Sequence, residues 1–231
     1  MYHYFFLDKH TATYRHEIGI ILDQPRLLQI NSTMTEILPY ILSLFVGIGL
    51  AAATGFRVFL PIFFLSFGTY MGWIPLDSSY AWIGGLPAVI ATGIATVIEI
   101  LAYYIPFVDN ILDSITVPLA TVAGSILFAS QFTEMNDWAQ WPLAIIAGGG
   151  TAATISSVLA GTRAASSGTT AGLGNPIIST VETVGSTIMS VFAIFLPILA
   201  GILVIIILFL AIKYGKRIFQ KFKGRRTQEQ L

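Results

Sequence analysis

Four ionisable residues sit inside long apolar stretches: Arg57, Glu99, Arg163 and Glu182. An ionisable group inside a membrane span costs roughly 2.5–3.5 kcal/mol on insertion scales, so each needs a reason. Gathered in one interior, they could bind a small solute or ion, or pass a proton through a glutamate. They could instead be buried ion pairs holding broken helices together, or arginines at the headgroup level. Asp109 and Asp113 are four apart and share a face if helical. Such a pair could hold a cation or move protons. The plainer reading is a water-exposed acidic first turn, favoured by the helix dipole. Thr54 and Asn175 stand at expected helix breaks and complete the set of secondary candidates with the two aspartates.

Catalytic constellations are largely missing. The chain has no cysteine, and its three histidines are His3, His10 and His16. Thiol catalysis is therefore excluded, and the apolar region can hold neither a Ser–His pair nor a His–Glu zinc helix. Gly148–Gly150 has no following Lys-Ser/Thr, so a phosphate-binding loop is unsupported. No catalytic residue, metal site or cofactor is expected, and the reading is not an enzyme.

The elements that must position these residues follow from composition. Apolar residues make up 55% of the 231, and charged residues only 10%, against roughly 25% in soluble domains. Disorder is excluded by that hydrophobicity. Lys+Arg and Asp+Glu are 12 each, so nothing suggests nucleic-acid binding. The zero sum hides a segregation. Residues 35–212 carry two arginines against eight acids, and residues 213–231 carry seven cations against Glu229. This gives three parts: a leader or cytoplasmic tail over 1–33, a helical membrane domain over 34–212, and a basic tail over 213–231. Basic flanks stay on the cytoplasmic side, which places the C-terminus inside. The tail could also contact anionic lipid. Met34 stands directly before the first apolar run and is a candidate true start.

Residues 188–212 form the clearest span, uncharged and bearing Pro197. Residues 82–105, 117–132 and 141–161 supply three more. Residues 37–76 are too long for one crossing and must fold back, with the break expected around Ala53-Thr54-Gly55, followed by Arg57 and Pro61. Residues 162–186 are too polar for a lipid-facing span, and read as a broken or re-entrant helix or as a loop. Asn175-Pro176 should end any helix arriving there. Counting 37–76 as two passes gives six spans with both termini inside; a re-entrant limb gives five. Trp73, Trp82, Trp138 and Trp141 mark membrane edges.

Gly47–Arg57 and Ala147–Arg163 are both small-residue runs ending at an arginine. Thr96-Val-Ile-Glu99 and Thr180-Val-Glu182 follow them. An internal repeat is one reading, as in transporters with two halves, although the arginine-to-glutamate spacings differ. The set Gly49-Leu-Ala-Ala-Ala-Thr-Gly-Phe-Arg-Val-Phe-Leu-Pro61, Trp73-Ile-Pro, Glu99-Ile-Leu-Ala, Asp109, Asp113, Gly161-Thr-Arg-Ala, Asn175, Ser179 and Glu182 resembles a bacterial family. It is the multi-pass membrane family called domain of unknown function 4126, and the resemblance covers about residues 36–205. Members often have Asp-Lys where this chain has Tyr103-Tyr104. The resemblance implies an architecture and a bacterial inner-membrane location, without an activity.

The expectation is thus an all-α polytopic membrane protein of five or six spans, with broken or re-entrant small-residue segments. Its function is read as a small transporter or channel for a small solute or ion. The alternative is a membrane scaffold or lipid-interacting protein. A homo-oligomer is left open.

Overall fold

The computed structural model describes residues 37–76, 78–132 and 135–228. The expectations for residues 1–33 and for Met34 lie outside them. Residues up to Ile41 form one unit, described only for its last helical residues, and residues from Leu42 form the other.

The described chain is helical. It comprises α1 (Ile37–Phe56), α2 (Phe59–Tyr70), a 3₁₀ turn (Ser78–Gly84), α3 (Leu86–Ala102) and α4 (Pro106–Ala129). Then come α5 (Asp137–Leu143), a π-helical stretch (Ala144–Gly149), α6 (Gly150–Thr170), α7 (Asn175–Phe195) and α8 (Pro197–Gln228). Four helices are long and apolar enough to cross a membrane, or five if the bent pair before and through α3 counts as one span. Phe59–Tyr70 and Pro197–Lys213 are shorter apolar helices.

Proline explains where the helices break. Pro61, Pro87, Pro106, Pro176 and Pro197 each fall within the first three residues of a helix. There the missing N–H is harmless, but the ring clashes with the carbonyl four residues back, so the preceding helix cannot run through. Pro61 acts on the carbonyl of Arg57, and the break falls at Arg57-Val58 rather than at Ala53–Gly55, which stays helical. Asn175-Pro176 opens α7 instead of ending α6. The turn between them is Ala171–Gly174, with Ala171 and Gly172 in the left-handed region. Residues 162–170 are the last turns of α6, not a loop. The apolar run 188–212 is not one helix, because Leu196 leaves helical geometry ahead of Pro197.

Contacts fix the helix directions. A Cβ on Gly49 would meet Ala193 and Ala200, one on Gly185 would meet Phe56, and one on Gly201 would meet Phe45. Phe56 also shares a groove with Ile207, Leu210 and Ala211. So α7 runs antiparallel to α1, and α8 returns beside it as the second arm of a hairpin. Trp73 at the end of α2 touches Phe195 at the end of α7, so α2 also runs away from the α1 break. Phe45 and the Lys213 end of α8 therefore lie at opposite ends of the unit. Both ends of the membrane domain on one side, as the sequence suggested, is at odds with this.

The faces are inverted relative to a soluble bundle. On α7, Asn175, Ser179, Glu182, Ser186 and Ser190 are buried, while Ile177, Val181, Val184 and Ile188 are exposed. Polar residues inside and aliphatic residues outside suit a lipid solvent. Small residues let helices approach closely. A Cβ on Gly148 would stand 2.5 Å from Phe128 Cβ and 2.6 Å from the carbonyl oxygen of Gly124. Gly148→Ala should therefore cost about 1–3 kcal/mol. Gly161→Ala, with nothing within 4 Å, should be neutral or stabilising. Unfolding midpoints of the two variants in detergent check the contrast; equal midpoints would refute the close contact.

Candidate functional site

The site forms where several helix ends meet. Arg57 lies in the two-residue break between α1 and α2. Glu99 stands in the last turn of α3, and Tyr103 caps that helix. Asp109 is in the first turn of α4, and Asp113 one turn on. Arg163 comes from α6, and Asn175, Ser179, Glu182 and Thr183 from the first half of α7. All are buried except Thr183 and Asp113, which are partly so.

Arg163 is the hub. Its Nε donates to Glu182 Oε1 at 3.1 Å, and its Nη2 pairs with Glu182 Oε2. Its Nη1 donates to Asp113 Oδ1 at 2.8 Å and to Asp109 Oδ1 at 3.2 Å. One guanidinium thus binds three carboxylates on two helices, using the planar fork that lysine lacks. Asn175 Nδ2 donates to Asp109 Oδ2 at 2.6 Å and to Ser167 Oγ at 3.0 Å. This ties the start of α7 to α4 and α6.

Arg57 is held differently. Its Nε donates to Thr183 Oγ1 at 3.1 Å, and its Nη2 to the Ser179 carbonyl at 2.9 Å and to Ser179 Oγ. Its ion pair with Glu182 Oε2 is longer, at 3.8 Å. Nη1 of Arg57 is buried with no hydrogen-bond partner among the described residues. Both guanidinium groups lie over the Tyr103 ring, 4.1 Å from its centre for Arg57 and 3.9 Å for Arg163. Contacts this close, away from water, are cation–π interactions worth about 2 kcal/mol. Tyr103 Oη is fixed by Thr116 Oγ1 at 2.6 Å.

Glu99 belongs to the same region but does other work. Its Oε1 accepts the N–H of Val58 at 2.8 Å, and its Oε2 that of Phe59 at 3.0 Å. These are among the orphan donors of α2, so Glu99 caps a neighbouring helix across the bundle. Thr54 stays outside the network. Its hydroxyl donates to its own helix, to the Leu50 carbonyl at 2.8 Å.

Depth follows from the helix ends. Arg163 lies seven residues before the end of α6, and Glu182 seven after the start of α7. Each is about 10 Å below the α6–α7 turn. The network is therefore displaced from the middle of α6 and α7 toward one end, by about one turn. That end is the one where α8 reaches Lys213.

A family model described as domain of unknown function (DUF4126) matches residues 44–217. The chain belongs to this family. No curated protein and no solved structure matches it. Every residue of the network lies inside the DUF4126 segment. Tyr103 and Ser167 of this DUF4126 protein had no role in the sequence reading. The buried stripe Asn175, Ser179, Glu182, Ser186, at steps of four, three and four, was there to be read as one helix face.

Proposed function

We propose that this membrane protein is a small transporter or channel for a small solute or ion, and that the arginine–carboxylate network is its working site. One observation carries the reading. Two arginines and four carboxylates from separate helical elements converge in one buried region, and their formal charges do not cancel. A purely structural set of ion pairs would be expected to balance, since unmatched buried charge is costly. Pro61, Pro106 and Pro176 also interrupt the backbone at this region, and irregular backbone is tolerated at membrane depth where it lines protein or a wet cavity.

The basic residues after Ile212 support placing the Lys213 end on the cytoplasmic side of a bacterial inner membrane. The network would then lie toward the cytoplasm.

The test is flux in vesicles reconstituted with the purified full chain. A panel of inorganic ions and small neutral, anionic and cationic solutes would be compared with protein-free vesicles. Flux of at least one class, abolished by Glu182→Gln, is the expected outcome. No flux above protein-free vesicles across the panel would sink the reading. A second reading, lipid interaction, draws on an apolar groove of about 230 Å³. Phe56, Ile155, Leu159, Ile207 and Leu210 line it, beside the start of the basic tail.

A further inference from the structure

We propose that the Asp109–Asp113 pair is the proton-exchange site of this protein, with Asp113 as the group that takes up and releases the proton. The proposal deepens the transport reading by naming the ion to which movement is coupled.

The argument runs through the four carboxylates in turn. Glu182 faces two cations: Arg163 Nε donates to its Oε1, and both guanidinium groups pair with its Oε2. Glu99 accepts two backbone N–H groups at the positive end of α2. Each therefore has donors of its own. Asp109 and Asp113 instead share one nitrogen, Nη1 of Arg163, whose other two nitrogens serve Glu182. Two carboxylates on one NH₂ group leave a negative charge unmatched, and like charges this close do not both persist cheaply away from water. A proton is the smallest cation that removes the mismatch. Among the described residues, no group of three or more His, Cys, Asp or Glu side chains could hold a metal ion.

The surroundings select Asp113 within the pair. Asp109 is 1% exposed, and Asn175 Nδ2 already donates to its second oxygen. Asp113 is 20% exposed. It lies at the end of the bundle where Thr169 and Thr170 of α6 are exposed. Next to the pair, Oδ1 of Asn175, a residue 3% exposed, has no hydrogen-bond partner among the described residues. The charged and titratable groups around the pair are Arg163 from α6, Glu182 from α7, Arg57 at the α1 break, Tyr103 after α3 and Glu99 from α3. The step is a simple transfer. Hydronium gives its proton to a carboxylate oxygen of Asp113, an O–H bond forms and water leaves, with no redox change.

Infrared pH-difference spectroscopy on the purified full chain tests this without knowledge of a solute. The wild type should show a carboxylic-acid C=O band that grows as pH falls. Asp113→Asn should lose one component of that band, read as a wild-type-minus-variant difference against the chain's other carboxyl groups, while its unfolding midpoint stays near wild type, because the amide oxygen can still accept from Arg163. Asp113→Glu should restore a titrating band at a shifted frequency. Glu99→Gln should keep the wild-type band. An unchanged band in Asp113→Asn overturns the proposal even if flux is observed. Loss of the band, with no flux in any solute class, would leave the proton site standing and remove the transport reading.

Discussion

Arg163→Leu is expected to destabilise the folded protein by about 3–5 kcal/mol, the usual consequence of removing one partner from a buried ionic group. The size follows from what is left behind. Glu182, Asp109 and Asp113 would lose their common donor, and the first two are 1% exposed. Arg57 cannot replace it, since it reaches Glu182 only at 3.8 Å. Arg163→Lys should recover part of the loss, because an ammonium restores the charge without the fork that spans Glu182 and the two aspartates. Denaturant titration in detergent micelles, followed by tryptophan fluorescence, reads the difference. If Arg163→Leu unfolds at the wild-type midpoint, the hub assignment is wrong.

The second large effect is at Glu99. Glu99→Ala removes both acceptors from the N–H groups of Val58 and Phe59. Hydrogen bonds to a charged group contribute about 1.5–3 kcal/mol each, so a loss of about 3 kcal/mol is expected. Glu99→Gln keeps one carbonyl oxygen and can satisfy one of the two donors, so it should fall between wild type and Ala. Hydrogen exchange at the amides of Val58 and Phe59 gives a local readout. Their protection should drop in Glu99→Ala and drop less in Glu99→Gln. Unaltered protection in the alanine variant would mean that α2 is not capped from α3.

Much of this architecture is legible in the residues. Low charge and high hydrophobicity identify the solvent as lipid, and the rarity of Arg57 and Arg163 marks them as organising residues. The break in the first apolar stretch follows from its length, and its position at Arg57-Val58, two residues beyond Gly55, follows from Pro61. The ring acts on the carbonyl of Arg57 four residues back, whereas the small residues Ala53–Gly55 remain helical. Residues 162–186 form a broken helix, one of the two readings their composition allows, and the helix runs on through Thr170. Ser, Thr and Gly signal irregular backbone in water, but Thr162, Thr169 and Thr170 bond carbonyls of their own helix.

The site was legible in part. Rarity and depth single out the arginines and glutamates, since unpaired charge is expensive in lipid. Depth alone could not separate Glu99, spent on backbone donors, from Glu182, shared between guanidiniums. That distinction depends on which helix end lies opposite each carboxylate, a long-range fact. Tyr103 was hidden because an aromatic beside a membrane edge usually reads as an interface residue. Its position under two cations comes from the turn between α3 and α4.

The helix directions place unlike chemistry at the two ends. Trp73 lies beside Phe195 at the far end of α7, Trp82 precedes α3, and Trp138 opens α5. Arg57, Arg163 and their carboxylates lie toward the other end, the one that α8 reaches at Lys213. The molecule is therefore a compass needle rather than a symmetric plug. Exposed indole rings stand toward one rim, and the buried ion network stands toward the other. The two halves of the fold thus rest on different forces, aromatic packing at one and charge pairing at the other, and the molecule has a head and a tail along its helix axes.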